Sequence, residues 1–246
     1  MHPDPLEFLY DYPDVRDREV VGLIASALAY GRVAQILRSV SSVLEIAGPS
    51  PAEFVSRSTR RTLERKFEGF KHRFTTGSDM AGLLSGARTA IRKHGSLNAC
   101  FTYGMSASDD TVVPALEKFA CVLTASGCCP PDFLLPAAGK GSACKRLNLY
   151  LRWMVRSDEV DPGGWTGVPA SILVVPLDTH MHRTGLALGL TTRKQANLRT
   201  ALEITAGFRR IVPEDPVRYD FSLTRLGIRD DSSLDEFLER VEESQG

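Results

Sequence analysis

The chain has 246 residues, of which 43% are hydrophobic, and its formal net charge is zero. This length allows one large domain or two small lobes around a cleft, and the hydrophobic fraction supports a buried core. No apolar run approaches the roughly 20 residues of a membrane span, and the acidic, proline-containing residues 1–10 do not resemble a signal peptide. We therefore expect a cytoplasmic protein that makes no contact with a membrane.

The cysteines indicate a reducing compartment. The sequence has five of them, which form neither a CxxC pair nor an even set: Cys100, Cys121, Cys128, Cys129 and Cys144. Such a set is typical of reduced thiols in a cytoplasm. Because no cysteine follows Cys144, we expect no iron–sulfur loop in the C-terminal part.

The charges are unevenly distributed although they cancel overall. Residues 1–19 carry six acids and residues 229–246 carry seven, each against only two arginines. By contrast, residues 140–156 carry five lysines and arginines and no acid. We interpret this block as a surface that binds phosphates, and a second basic block, residues 57–73, as an ordinary solvated helix face.

Apolar residues recur at helical spacing along the whole chain. Asp17 can cap the first helix, which we predict to run as one long element to Gly48 and Pro49. Further helices are predicted at 51–55, 62–67, 78–95, 97–101, 111–124, 142–155, 178–190, 192–205, 215–227 and 234–241. Loops rich in proline or glycine are predicted at 127–141 and 157–169. With no strand pattern between them, these elements predict an all-α fold.

The stretch 171–190 joins an apolar run to a helix through Pro176, Leu177 and Asp178. Asp178 lies where a helix N-cap belongs, because its carboxylate can accept the unpaired backbone N–H groups of the first turn. A carboxylate held in this way presents a fixed negative charge, which is useful in a catalytic cleft. An N-cap with no further role is an equally good interpretation of the motif alone.

The basic block contains a second candidate site. Gly139 and Gly141 precede a helix on which Lys145, Asn148 and Arg152 share one face, while the leucines between them share the face toward the core. A glycine loop that opens into a helix presents backbone N–H groups to a phosphate. A lysine crowded by a second cation and a helix N-terminus is favoured in its neutral form, which a lysine nucleophile requires.

Two short motifs in these segments carry a resemblance. The residues Lys145-Arg146-Leu147-Asn148 and Leu177-Asp178-Thr179-His180 resemble the Lys-Thr-Ala-Asn and Val-Asp-Thr-His motifs of the helix-hairpin-helix (HhH-GPD) DNA glycosylases. Along most of its length the chain is also similar to an uncharacterised bacterial family related to these glycosylases, and distantly to an archaeal oxidised-guanine DNA glycosylase. Residues 28–32 and Gln35 match this relationship more weakly.

The resemblance implies a single domain, residues 1–246, made of two helical lobes around a cleft. It also implies a DNA glycosylase of base excision repair with abasic-site lyase activity. Lys145 would be the nucleophile, and Asp178 would assist the release of a flipped-out damaged base, by resemblance an oxidised guanine. Tyr30, Gln35 and Trp153 are the candidates for the base pocket.

The implied partner is damaged double-stranded DNA, bound by a monomer in the cytoplasm at the nucleoid, without a metal or other cofactor. We expect the DNA contacts to come from Gly139, Lys140, Gly141, Arg146, Asn148, Arg152, Arg156 and His180. A metal site made of Asp178, His180 and His182 is disfavoured, because residues two apart on a helix point roughly 200° apart.

Alternatives remain open from the sequence. The glycosylases place their lysine directly after the glycine loop, so Lys140 could replace Lys145 as the reactive amine. The separation of Lys145 from Asp178 also exceeds the short connection of the glycosylases, which puts the hairpin's contact with duplex DNA in question. The chain could instead bind nucleic acid without catalysis, or the two residues could form a purely structural ion pair.

Overall fold

The computed structural model describes residues 2–124, 134–136 and 138–226. Eleven α-helices account for most of these residues, so the predicted all-α class is confirmed at this level. They are α1 (Val15–Leu28), α2 (Val33–Ala47), α3 (Pro51–Arg57), α4 (Arg60–Lys66), α5 (Gly77–His94), α6 (Leu97–Tyr103), α7 (Val113–Thr124), α8 (Lys145–Val155), α9 (Thr179–Ala187), α10 (Leu198–Arg209) and α11 (Asp220–Leu226). Short 3-10 helices lie at Pro5–Asp11, Ala138–Lys140 and Ala170–Ile172. No helix within the described ranges is both long and apolar enough to cross a membrane.

A small hairpin interrupts the helices between α4 and α5. Strands β1 (Lys71–His72) and β2 (Thr75–Thr76) pair antiparallel, with Lys71 opposite Thr76 and His72 opposite Thr75. Residues 73 and 74 therefore form its two-residue turn. The sequence shows no strand pattern here, because two residues per strand are too few for alternation to be visible. A pair this short is not stable alone and depends on its attachment to the rest of the fold.

Helix α1 lies at the centre of the core. Residues 19–28 are all buried, and α1 packs against α2, α3, α8 and the N-terminal 3-10 helix. Gly22 lets α8 approach closely, since a Cβ atom there would lie 3.2 Å from Tyr150 Cε2. Because α8 begins with Lys145, the packing of these two helices sets the position of the predicted nucleophile.

A second group of helices, α4 to α7, packs around α5. Gly86 of α5 lies directly against α7, where a Cβ atom would clash with the backbone carbonyl oxygen of Leu123. An aromatic cluster joins this group to α8, with ring centroids 5.2–6.4 Å apart: Phe101, Phe119, Tyr150 and Trp165. Rings at such distances attract each other beyond the contribution of the area that they bury.

The long first helix of the prediction is broken in the structure. Helices α1 and α2 are separated by residues 29–32, where Gly31 has a φ of 97°, a backbone conformation that favours glycine. Asp14 caps α1 in place of the predicted Asp17, whose carboxylate instead accepts hydrogen bonds from the start of α3. The break matters for the site because it places Tyr30 in the cleft wall.

Two further helix starts differ from the prediction. The side chain of Asn197 accepts a hydrogen bond from the Thr200 backbone N–H, so α10 begins after Asn197 and not at Thr192. Turns occupy most of residues 213–219, so α11 begins at Asp220 and not at Asp215. The helix predicted at 234–241 and most of the loop predicted at 127–141 lie outside the described residues.

The close contact at Gly86 generates a stability prediction. Gly86→Ala should lower the free energy of unfolding by about 1–3 kcal/mol, because the new methyl group meets a backbone carbonyl that cannot move aside. Gly22→Ala is the matched control, because its methyl group meets only the side chains of Tyr150 and Met154 and alanine favours the helix. Urea unfolding measures both variants. Equal losses would show that α5 and α7 are packed less closely than described.

Candidate active site

A cleft of about 1130 Å³ opens where α8, the start of α9 and α11 face the connection between α1 and α2. Its wall also includes the N-terminal segment, residues 2–5, and the hairpin turn residue Phe74. Ligand pockets in proteins typically measure about 300–1000 Å³, so this cleft can accept a group as large as a nucleotide. Both residues that the sequence assigns to catalysis belong to its wall.

Lys145, the first residue of α8, reaches into the cleft. Its Nζ atom lies 3.9 Å from Asp178 Oδ2 and 3.5 Å from the carbonyl oxygen of Ala29. The side chains of Lys145 and Asp178 are 31% and 23% exposed, so a ligand in the cleft can contact both. The structure therefore brings together an amine and a carboxylate from helices that are distant in the sequence.

Asp178 uses its two carboxylate oxygens differently. Oδ1 accepts a 2.9 Å hydrogen bond from the backbone N–H of Met181, which confirms the predicted N-cap of α9. Oδ2 faces Lys145. Since the cap fixes the orientation of the carboxylate, the start of α9 determines where its free oxygen points.

The two histidines of α9 point in different directions. His180 lines the cleft, whereas His182 Nε2 lies 2.7 Å from the carbonyl oxygen of Arg193. The two side chains therefore diverge, as the helical period predicts for residues two positions apart. Among the described residues, no group of three or more histidine, cysteine, aspartate or glutamate side chains is arranged to hold a metal ion.

The three residues predicted for the base pocket lie in different environments. Tyr30 lines the cleft, and its hydroxyl donates a 2.9 Å hydrogen bond to the carbonyl oxygen of His72. Trp153 borders the cleft but is only 1% exposed, so it supports the wall from behind. Gln35 is exposed and lies outside the cleft wall, because α2 presents Val33 and Ile36 to the cleft and Gln35 lies on another side of that helix.

Arg146 points inward, not toward a duplex outside the cleft. Its Nη1 atom donates a 3.0 Å hydrogen bond to the carbonyl oxygen of Ala27, and its guanidinium carbon lies 5.0 Å from the centroid of the Tyr30 ring. Burial lowers the pKa of the Arg146 guanidinium from its ordinary value. The residue thus forms part of the cleft wall and stacks on Tyr30.

The predicted DNA-binding face of α8 is wrong. Asn148, Arg152 and Arg156 are only 1%, 3% and 6% exposed, so a DNA phosphate cannot approach them. The Asn148 amide donates a hydrogen bond to the carbonyl oxygen of Ala143. The error arises because the arginines of α8 pair with buried acids while the helix packs on α1, which a local pattern of charges does not reveal.

Acids from the loop that follows α8 and from the segment that leads into α11 neutralise the two arginines. Arg152 Nη2 lies 3.0 Å from Asp161 Oδ1, and Arg152 Nη1 pairs with Asp220. Arg156 also pairs with Asp161, and its Nη2 and Nε atoms lie 2.6 Å and 2.9 Å from carboxylate oxygens of Asp158 and Asp215. We refer to these two arginines and four aspartates as the arginine network. It binds the loop at 157–161 and α11 to α8.

The glycine loop lies apart from the cleft. Gly139, Lys140 and Gly141 are exposed, and none of them belongs to the cleft wall. The carbonyl oxygen of Gly141 accepts a 3.0 Å hydrogen bond from the backbone N–H of Leu198, which attaches the loop to the start of α10. Of the two lysines that the sequence leaves open as the reactive amine, the structure places Lys145 beside Asp178.

Two further acids, Asp4 and Asp220, belong to the cleft wall, and sequence reasoning does not identify them. Burial raises the pKa of Asp220 to about 6, against the opposing attraction of Arg152. Burial also raises the pKa of Asp4 above its ordinary value. Neither residue lies in a recognisable motif, and only the folding of both chain segments onto α8 brings them to the cleft.

The comparison with family models gives one match. A model described as "Protein of unknown function (DUF2400)" matches residues 4–229. The chain belongs to the DUF2400 family. The matched range contains the whole cleft wall except residues 2 and 3. No curated protein and no solved structure matches this DUF2400 chain.

The burial of Arg152 predicts that removing its side chain lowers the stability of the protein. The sequence alone predicts that the same change weakens DNA binding. Arg152→Ala should lower the free energy of unfolding by about 3–5 kcal/mol, because it leaves Asp161 and Asp220 buried without their partner. Arg61→Ala, which removes an exposed arginine, should change it little. Chemical denaturation of both variants tests this. An unaltered unfolding midpoint in Arg152→Ala would contradict the structural role.

The raised pKa of Asp220 predicts a pH dependence. Because its folded-state value of about 6 exceeds the ordinary 3.8, protonated Asp220 favours the folded state. This stabilisation is complete below about pH 4 and is lost as the pH rises through about 6. Asp220→Asn cannot ionise, so the unfolding free energy of wild type minus that of the variant should fall between these pH values.

Denaturant unfolding at several pH values measures this difference. Asp110→Asn, at an exposed position, is the control for a general effect of removing one acid. A difference between wild type and Asp220→Asn that stays constant from pH 4 to pH 7 would show that Asp220 titrates as an exposed aspartate does.

Proposed function

We propose that this DUF2400 chain is a DNA glycosylase with associated abasic-site lyase activity, which excises a damaged base during base excision repair. One observation carries the proposal: Lys145 Nζ lies 3.9 Å from Asp178 Oδ2 in the wall of a nucleotide-sized cleft. A lysine nucleophile needs a neighbouring group that accepts its proton, and Asp178 Oδ2 is suitably placed for that role.

The proposed reaction begins with a proton transfer from the Lys145 ammonium to the Asp178 carboxylate. The neutral amine then attacks C1′ of the sugar, forming the Nζ–C1′ bond while the glycosidic bond breaks. The electron pair of that bond leaves with the base, which takes up the proton that Asp178 accepted from Lys145. The Asp178 carboxylate thereby regains its negative charge and stabilises the cationic sugar that develops as the base departs. Opening of the sugar ring gives a Schiff base, from which elimination of the 3′ phosphate nicks the strand.

The local architecture supports an arrangement like that of the helix-hairpin-helix glycosylases, with two helical lobes around the cleft. A glycine-containing 3-10 turn at 138–140 precedes the helix that carries Lys145, and the capping aspartate begins a later helix. Lys145 and Asp178 are the motif residues of the resemblance, with the difference that Lys145 begins the helix after Cys144 and does not follow the glycine turn directly. A base must leave the duplex to reach such a cleft, because its glycosidic bond is inaccessible within the stack.

The proposed contact with duplex DNA needs revision after the burial of Arg152 and Arg156. Of the predicted contacts, the loop with Gly139, Lys140 and Gly141 is the exposed part. His180 is half-buried in the cleft wall and would meet the extruded nucleotide, not the duplex. We therefore assign the phosphate contacts of damaged double-stranded DNA, bound by a monomer, to this loop.

Covalent trapping tests the proposal. With borohydride, the wild type should become linked to DNA that contains a damaged base or an abasic site, because reduction fixes the Schiff base. Lys145→Gln should abolish trapping and nicking and leave DNA binding largely intact, since only the nucleophile is lost. Lys140→Gln removes a cation from the loop assigned to the phosphates, so it should bind DNA more weakly but should still be trapped at saturating protein. Gel electrophoresis of the linked product measures all three proteins.

Asp178→Asn separates the chemical role of Asp178 from its role as a cap. Asparagine caps helices about as well as aspartate, so the melting temperature should change little. Base release should slow on the order of 100-fold or more, whereas a preformed abasic site should still be trapped. A large loss of melting temperature would instead favour a structural ion pair. Trapping that persists in Lys145→Gln would contradict the assignment of the nucleophile.

The second candidate is a protein that binds nucleic acid without catalysis. It is favoured by the ion pair between Lys145 and Asp178, which satisfies both charges without any reaction. Both candidates predict DNA binding, so activity must separate them. A panel of duplexes, each with one damaged base, would favour the binding protein if every duplex is bound and none is cleaved or trapped.

A further inference from the structure

The hairpin β1–β2 holds an aromatic side chain in solvent at the mouth of the cleft. Phe74 is 71% exposed, yet it belongs to the cleft wall. An exposed apolar residue needs no explanation by itself. The position of Phe74 does need an explanation, because a hairpin with two residues per strand cannot stay in one place without support from the rest of the fold.

Hydrogen bonds to the cleft wall supply that support. His72 is fully buried, and its Nε2 atom lies 3.1 Å from the carbonyl oxygen of Tyr30. The Tyr30 hydroxyl donates to the His72 carbonyl oxygen and accepts a 3.2 Å hydrogen bond from the backbone N–H of Thr75. Tyr30 is thus bonded to both strands, so the hairpin turn has a fixed position relative to the cleft.

The turn carries a second unusual feature. Arg73 has a φ of 52°, in the left-handed region that residues with a side chain rarely adopt. Its guanidinium carbon lies 5.6 Å from the centroid of the Phe74 ring and 5.9 Å from that of Tyr30. Gly31 leaves room for it, since a Cβ atom there would come within 2.7 Å of Arg73 Cδ. The fold therefore accommodates a strained turn that sets Arg73 between two rings.

These contacts form a continuous series from solvent to the catalytic candidates. Arg146 lies over the Tyr30 ring, and Lys145, which precedes Arg146 in the chain, also belongs to the cleft wall. Aromatic and guanidinium groups thus alternate in the order Phe74, Arg73, Tyr30 and Arg146. We call this series the aromatic–guanidinium ladder.

We propose that the aromatic–guanidinium ladder binds an unpaired nucleotide of the DNA, whose base stacks on the ring of Phe74. Proteins that bind unpaired nucleotides combine rings that stack on bases with cations that neutralise phosphates, and the ladder contains both. The inference rests on the proposed function, because extrusion of a damaged base leaves nucleotides unpaired beside the cleft. The ladder would add a second contact with the DNA at the mouth of the cleft. The first is the contact that Lys145 makes inside the cleft.

Two fluorescein-labelled duplexes test the inference, one fully paired and one with a single-nucleotide bulge. In anisotropy titrations, the wild type should bind the bulged duplex more tightly. Phe74→Ala should weaken binding of the bulged duplex roughly tenfold, and change binding of the paired duplex by less than about twofold. Phe74→Trp should bind as the wild type does, because tryptophan also stacks.

Tyr103→Ala is the matched control, because Tyr103 is 79% exposed on α6 and lies outside the cleft wall. It should bind both duplexes as the wild type does. Melting temperatures of all variants should lie close together, since Phe74 and Tyr103 are mostly exposed. This excludes misfolding as a cause of lost binding.

The outcomes separate the two proposals. If the wild type prefers the bulged duplex and Phe74→Ala does too, the ladder proposal is wrong and the glycosylase proposal stands. Equal weakening of both duplexes by Phe74→Ala would also overturn the ladder proposal, because the ring would then contact paired DNA. A wild type that binds neither duplex would overturn both. Loss confined to the bulged duplex and restored by Phe74→Trp would support the ladder.

Discussion

The arginine network is the constraint on which the cleft depends. Arg152 and Arg156 lose their hydration when they are buried, and the attraction of their aspartates offsets that loss only when the geometry is good. Such a network contributes little net stability, but it accepts few alternative arrangements. One placement of the loop at 157–161 and of α11 satisfies the pairs observed here. The network therefore specifies which side chains of α11 enter the cleft wall.

A buried carboxylate on α1 has a comparable positioning role. Glu19 is 1% exposed and accepts hydrogen bonds from the backbone N–H groups of Leu97 and Asn98 and from the indole N–H of Trp165. It thus ties α1 to the start of α6 and to the loop after α8. Burial raises the pKa of Glu19 in spite of these donors. Buried charges thus fix two helices relative to the segments that pack on them. Glu19 does this for α1, and Arg152 and Arg156 do it for α8.

Features that depend on a few neighbouring residues could be predicted from the sequence. The cap at Asp178 and most helices from residue 51 to 124 belong to this class, because caps and apolar spacing are local signals. The meeting of Lys145 with Asp178 is expected from the family resemblance alone, because no local pattern joins two positions so far apart. The break at Gly31 was missed because the residues on both sides fit one helical pattern. The basic block at 140–156 was misread because its partner acids lie between residues 158 and 220, and no local pattern shows which acids fold onto which arginines. For the same reason the hairpin turn and Asp220 could not be assigned to the cleft.

The cleft wall has a consequence for how the protein acquires its site during synthesis. Its earliest part, residues 2–5, leaves the ribosome first, and α11 leaves after every other described element. Lys145 and Asp178 are therefore synthesised before the helix that completes their surroundings. Until α11 docks, Arg152 lacks one of its partners and the cleft is open on one side. A nascent chain thus carries its amine and carboxylate in a solvated, incomplete pocket, and a finished pocket marks a chain that has been translated and folded through α11.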